Sequence, residues 1–473
     1  MDEAVLLEST QIFLSCCDSP IQIPPKQDEP SLVLPHVCSA WRRLALHMPE
    51  LWANVRVSYT DEMSVRRKTE IVEQWVARTG SDYLLNLTVD CPQPFATAAA
   101  ENPDLLSGSI VPFIVANASR IRHFHISLPF VALRPILDLP SGSLKAVETA
   151  VLEPLVRLSD MIMPDSESEY CAWHWPSDSL AFDSAPLLRE FSYEPAPLFK
   201  LSELELMVPN IVDLSAIDET LTRHPFFAPA FSLPRHISAQ LTAVHFPWTA
   251  LTSDAWCDIL VECPNITSLG IAIQPSDAAP SRLLHLGLLN TLFLTAFSGH
   301  AHDLLDRLVA PRLDILTFIG TTFPVTEFLA CQARSDFKLT LFFLMGFLPG
   351  EDVLHLFRNL DGITAMGTLG ISTEHFPVEF WEAVGRREIL PRLEFLLLRP
   401  TAVQAPALVD MIAARWDALE ETRTESELTE TVPNFDVQFS DLRPEHLDAV
   451  KEELKRLEKY KENGREVSIE VYF

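Results

Sequence analysis

Three histidine clusters are the residues whose types and spacing come nearest to chemistry: His123-Phe124-His125, Trp173-His174-Trp175 and His300-Ala301-His302. Alternate residues of a strand share a face, so His123 and His125 could chelate a metal ion together. A metal centre needs further ligands, and the spacing places none. Cys257 and Cys263 flank a helical stretch at 258–262, with no histidine or other base assignable to either thiol. The serine-hydrolase elbow, the phosphate loop, the zinc-protease pair and the dinucleotide-binding glycine pattern are all missing from the sequence. Carboxylates are abundant, but in so acidic a chain any pair reads as a solvated face. The expectation is a non-catalytic protein that uses no metal and no cofactor.

Composition narrows the partners. The chain of 473 residues carries a net charge of −29, which repels phosphate backbones and argues against nucleic acid and anionic membranes. Nearly half of it is apolar, 48%, enough for a large core and too much for global disorder. Its length suits one small domain plus an elongated one. The eight cysteines are scattered without a C-x-x-C pair, as expected of reduced, buried thiols. The first basic residue is Lys26, so no secretory n-region is expected, and the longest apolar run (339–350) is too short to span a bilayer. A cytoplasmic or nuclear protein is expected.

The stretch at 32–57, LVLPHVCSAWRRLALHMPELWANVRV, organises the N-terminus. The spacing of Val37, Cys38, Trp41, Leu44 and Ala45 predicts one helical face, with Arg42, Arg43 and His47 opposite. Pro35 is placed to open that helix and Pro49 to end it, ahead of a tight turn holding Leu51 and Trp52. Residues 4–17 read as an earlier short helix around Leu6, Leu7, Ile12 and Phe13, and 18–31, with four prolines, as an exposed loop.

The string V-C-x-x-W-R-x-L-A-x-x-x-P-x-L-W resembles the second half of the F-box in a large family of proteins from mushroom-forming (basidiomycete) fungi. Leu7, Ile12, Phe13, Leu14 and Cys17 resemble that family's first F-box helix. A Leu-Pro segment usual before that helix is not seen ahead of Met1-Asp2-Glu3. A helix is predicted over 61–79, with Ile71, Val72, Trp75 and Val76 on one face, Gly80 as its C-cap and a strand after it. The pattern W-V-x-R-T-G-S-x-x-L-L-x-L in this region resembles a signature that follows the F-box in the same family.

Farther on, RIRHFHISL (120–128), LLREFSYE (187–194) and LSELELMV (201–208) read as strands, and 163–179 as a long surface loop. From about residue 240 a period appears. Val244, Leu269, Leu292, Leu316, Leu341, Leu369 and Leu396 align at intervals of roughly 23 to 28 residues, within the ~20–29 of leucine-rich repeats. Helical patterns fall between these strands, and stacked units of this kind bury a continuous core that none buries alone. Beyond Arg399 the period breaks. Residues 415–434 read as an exposed acidic loop or an elongated repeat, VQFSDL as a strand, and Pro444 opens a helix striped by Leu447, Val450, Leu454 and Leu457. That helix and the final strand EVSIEVYF suit the end cap of a solenoid.

The expected fold class is therefore α/β: a small N-terminal helical F-box followed by an irregular leucine-rich-repeat solenoid, a curved sheet with helices on the outer side. The expected divisions are an F-box over 1–57, abbreviated at its start, a linker helix over 58–82 and a repeat domain over 83–473. The resemblance implies a substrate-receptor subunit of a Skp–cullin–F-box ubiquitin ligase. The F-box would bind a Skp-type adaptor, and through it a cullin, while the repeats hold a protein client. Adaptor-facing residues are then drawn from Ile12, Phe13, Val37, Cys38, Trp41, Leu44, Leu51 and Trp52, some of which must hold the small box together instead. The alternatives are a repeat scaffold with a degenerate F-box and, last, a cryptic hydrolase or transferase. Arg386 and Arg387 are the only adjacent arginines of the repeat region, so the client is expected to be a basic segment rather than a phosphorylated one.

Overall fold

A computed structural model describes residues 12–13, 15, 19–157, 180–194, 196–198, 235–274, 282–296, 301–368, 376–398, 400–421, 435–439, 444–463 and 467–469. The chain divides into two compact units. The N-terminal one holds the described residues up to Thr249 and the C-terminal one those from Ala250.

The N-terminal unit is built on strands β1 (Ile21–Ile23), β2 (Asn54–Ser58), β3 (Leu85–Asp90), β4 (Ile121–Pro129), β5 (Thr149–Arg157), β6 (Glu190–Tyr193), β7 (Ala196–Leu198) and β8 (Ala243–Thr252). Each pairs in parallel with the next in sequence, except that β7 lies beside β5 and β6 is followed by β8. One residue from each strand except β7 falls in a single cross-strand row: Ile21, Val55, Leu87, Phe124, Ala150, Phe191 and Val244. All of them are buried. The regular stacking thus begins at β1, far ahead of residue 240. Its spacing in sequence is so uneven, Val55 to Leu87 but Phe191 to Val244, that no period shows. The loop expected over 18–31 contains β1 and ends in a helix.

The C-terminal unit repeats the plan with β9 (Ser268–Gln274), β11 (Thr291–Ala296), β13 (Ile315–Thr322), β14 (Leu341–Phe347), β15 (Ala365–Thr368), β16 (Phe395–Leu398), β17 (Asp436–Phe439) and β18 (Val467–Ile469), again parallel and in chain order. The short strands β10 (Leu284–His285) and β12 (Leu308–Val309) form a separate pair. The monotone strand order differs from a doubly wound sheet, whose order reverses at a switch point. Here the buried row is Leu269, Leu292, Leu316, Phe342, Met366, Leu396 and Val437. The expected register therefore holds at Leu269, Leu292, Leu316 and Leu396. It slips by one at Leu341, where Phe342 points inward, and Met366 takes the place expected of Leu369, which lies outside the described residues.

Helices connect the strands and pack on the side of the Phe342 row. Phe328 and Phe357, from helices Val325–Ser335 and Gly350–Arg358, meet the Phe342 ring at 6.4 and 6.0 Å, and Phe357 meets Phe380 at 5.2 Å. These offset and edge-on contacts each add about 0.5–1.5 kcal/mol beyond area burial. The buried indoles of Trp256 and Trp416 each donate to a main-chain carbonyl, of Ala272 at 2.7 Å and Phe435 at 3.1 Å. Arg415 and Trp416, at the start of the expected acidic loop, are buried within a helix spanning Ala405–Glu421. Against this helix pack the helix Pro444–Leu454 and the 3₁₀ segment Lys455–Asn463 that follows it, whose Tyr460 lies 5.1 Å from Trp416 and is bonded to Asp417 at 2.8 Å. Among the described residues no helix is long and apolar enough to cross a membrane.

Candidate functional site

The N-terminal helices sort the residues that sequence alone could not. Pro30 opens α1 (Pro30–Val37), with Pro35 inside it, and α2 (Ser39–Leu46) follows after a break at Cys38. The backbone of Cys38 is extended, φ −159° and ψ 170°, and its Sγ accepts from the Trp41 amide at 3.4 Å. Cys38 thus serves as the N-cap of α2, a place usually taken by serine, threonine or aspartate. The single helix expected from Pro35 is two helices, and the face expected across Val37 to Ala45 is split. Pro49 opens a short 3₁₀ turn, Pro49–Leu51, as the tight turn required.

Phe13, Leu51 and Trp52 are buried, while Trp41 and Leu44 are half-buried. Ile12, Val37 and Cys38 are exposed, with Ile12 at 49% and Val37 at 57%. Val33 at 44% and Leu46 at 47% join them, although the sequence did not single them out. Trp41 stands edge-on to Phe13, ring centroids 5.1 Å apart. Leu7, Leu14 and Cys17 lie outside the described residues.

The two stretches that carry the resemblance touch. Trp52 donates from its indole to the Ala45 carbonyl at 2.9 Å and meets Trp75 of α3 (Glu62–Val76) edge to face. The Arg78 guanidinium lies over both rings, 4.5 Å from Trp52 and 5.2 Å from Trp75. Thr79 accepts from Arg120 at 2.5 Å, and Gly80 sits at φ +74°, the left-handed region open to glycine.

The strand faces opposite the buried rows differ between the units. In the N-terminal unit this face carries Arg56, Asp90, His123, His125, Glu153, Glu190, Glu194 and His245. Arg56 pairs with Asp90 at 2.7 Å. His125 Nε2 lies 2.9 Å from Glu153 Oε1, and this hydrogen bond raises the histidine pKa and lowers that of the glutamate. Burial lowers His123 and His245 instead. In the C-terminal unit the equivalent positions of β13, β14, β15 and β16 include Ile315, Thr317, Ile319, Leu341, Phe343, Met345, Ala365, Gly367, Phe395 and Leu397, with no charge among them, and the first charge in these rows is Asp436 of β17.

For catalysis these groups offer little. Among the described residues no three histidine, cysteine or acidic side chains converge on a metal-sized site. His174 and His300 lie outside the described residues, and His302 faces Asp303 at 3.3 Å. Burial raises the thiol pKa of Cys91 to about 12 and those of Cys257 and Cys331 as well, so they stay protonated. A surface cavity of about 290 Å³ between Ala99 and Pro135 is lined by alanine, proline, serine, glycine, valine and leucine, with no ionisable side chain. No protein-family model matches the chain, and no curated protein matches it.

Proposed function

We propose that this chain is the substrate receptor of a Skp–cullin–F-box ubiquitin ligase, with its N-terminal helices docking on a Skp-type adaptor and its stacked strands holding a client. The observation that carries this reading is the exposure of four large apolar side chains, Ile12, Val33, Val37 and Leu46, in the helical region where Trp41 packs edge-on to Phe13. Where such side chains gather they mark protein-interaction surfaces. The monotone parallel sheets support the repeat-solenoid half of the proposal. A receptor of this type makes no bonds. It holds client lysines near a ubiquitin-charged enzyme, catalysis by proximity alone.

The test is co-purification with a basidiomycete Skp-type adaptor, comparing wild type with a Val37→Asp, Leu46→Asp variant. Both positions are exposed, so the variant should keep its circular dichroism and lose the adaptor. Failure of folded wild type to capture the adaptor would sink the ligase reading and leave a repeat scaffold with a degenerate F-box. Trp41→Ala with Leu44→Ala is the harsher variant, because both side chains also support the fold.

A further inference from the structure

The two units build the same kind of sheet and give its open face opposite chemistry. An antiparallel or parallel strand facing water normally alternates apolar inside with polar outside, and β2 to β6 follow that rule. Strands β13, β14, β15 and β16 break it. Their outward positions form two cross-strand rows, Ile315–Leu341–Ala365–Phe395 and Thr317–Phe343–Gly367–Leu397. The large side chains among them are half-buried. Gly367 shows that the surface is shaped. A Cβ placed there would lie 2.1 Å from Cδ1 of Phe343, so the Phe343 ring occupies the space that a side chain at 367 would fill. The apolar face runs from Leu341 across Phe343 to Phe395 and Leu397.

One charge lies on this same face. Asp436 continues the first row beside Phe395, and it is exposed. Its amide donates to the Glu394 carbonyl at 2.8 Å, which sets it in the ladder next to the apolar rows.

From this complementarity we infer that the open face of the C-terminal sheet binds a segment of a partner protein in which two bulky apolar residues are flanked by lysine or arginine. The apolar pair lies across Phe343, Leu341 and Phe395, and the basic residue meets Asp436. This deepens the client half of the proposed function and rests on it. The adaptor surface plays no part.

The probe is a random-peptide phage library selected on the immobilised full chain, followed by anisotropy titration of the synthetic consensus peptide. The expected consensus holds two bulky apolar residues next to lysine or arginine. Its affinity should fall tenfold or more, the scale of an interface hot spot, in Phe343→Ser and separately in Ile315→Asn. It should fall severalfold in Asp436→Lys and in high salt. Thermal melting identifies any variant that has unfolded, and the two variants on different strands keep the result readable. A consensus without apolar residues, no enrichment, or affinity indifferent to both folded variants would overturn the inference. So would concentration-dependent dimerisation abolished by the same variants, since the face would then belong to a second copy of the chain. Adaptor capture is measured on the same preparation: lost peptide binding with adaptor retained removes only this inference, and the reverse removes only the ligase docking.

Discussion

Trp52 and Trp75 meet edge to face with ring centroids 4.9 Å apart and planes at 67°, although 22 residues and a strand separate them in the chain. This contact, capped by Arg78, fastens the segment around α2 to α3. Trp75 is buried, so Trp75→Ala should cost about 3–5 kcal/mol through lost burial and the cavity left behind. Arg78 is exposed, and Arg78→Met should cost only about 0.5–1 kcal/mol, the worth of a surface cation–π contact. Urea denaturation of both variants checks the ranking, and equal losses would show that the guanidinium does more than cap the rings.

The His125–Glu153 pair sets a pH dependence with a definite sign. The folded pKa of His125 lies above its ordinary 6.5, so its contribution is complete below that value and is lost as pH rises through the folded pKa. Glu153 lies below its ordinary 4.5, so its contribution is present above that value and is lost as pH falls through its folded pKa. Between them the pair is strongest in mildly acidic solution. His123 and His245, lowered by burial, act the other way and favour the fold as pH rises. His125→Gln should therefore flatten the decline of stability on the alkaline side and leave the opposing slope. Chemical denaturation across pH, wild type against variant, reads both; an unchanged profile would mean the pair contributes nothing.

Arg415 is a buried cation of the C-terminal unit. Its guanidinium donates to the carbonyls of Val384, Leu390 and Leu393 at 2.8–2.9 Å and lies 5.0 Å from the Phe435 ring. Burial lowers its pKa to about 10, so it stays charged at neutral pH. Arg415→Met should cost at least about 1–3 kcal/mol, because even one orphaned buried carbonyl carries that penalty. Arg415→Lys should not rescue it, since an ammonium lacks the planar fork. Hydrogen exchange over 384–393 should quicken in both variants.

Two glycines should respond very differently to alanine. A Cβ at Gly346 would lie 2.4 Å from the Gly320 carbonyl oxygen, so backbone must move, and Gly346→Ala should lose about 1–3 kcal/mol or more. At Gly367 the obstacle is the Phe343 ring, which can swing toward solvent. Gly367→Ala should melt close to wild type yet weaken the consensus peptide, because the added methyl displaces the Phe343 ring. A destabilisation at 367 equal to that at 346 would show that Phe343 is fixed.

What the sequence revealed follows from how sharply each position was patterned. Leu269, Leu292 and Leu316 recur at nearly constant spacing, each with at least one serine or threonine beside it, so strand and register were both legible. In LTLFFL the apolar run continues through both faces, and nothing marks Phe342 rather than Leu341 as inward. That ambiguity hid the apolar open face as well. Strand β1 is three residues long between prolines, and its turn composition outweighed its pattern. Cys38 as a cap was invisible because a cysteine on an apolar face reads as core. With the break unseen, Val37 was assigned to the same side as Ala45, one exposed and the other buried. Arg415 sits in a run of charges that reads as solvated, and only its carbonyl partners reveal it.

Because each strand hydrogen-bonds mainly to the one just before it in the chain, either unit can assemble in the order in which it is synthesised. A strand leaving the ribosome finds its partner already in place, and few contacts within a unit must wait for distant sequence. The same order leaves every partly made chain with a bare edge at its growing end. Truncation after β14 or β15 would expose backbone donors and acceptors beside Phe343 and Leu341, a template for self-pairing. Nonsense fragments ending there should aggregate, whereas the complete chain carries β17 and β18 beyond its most apolar strands.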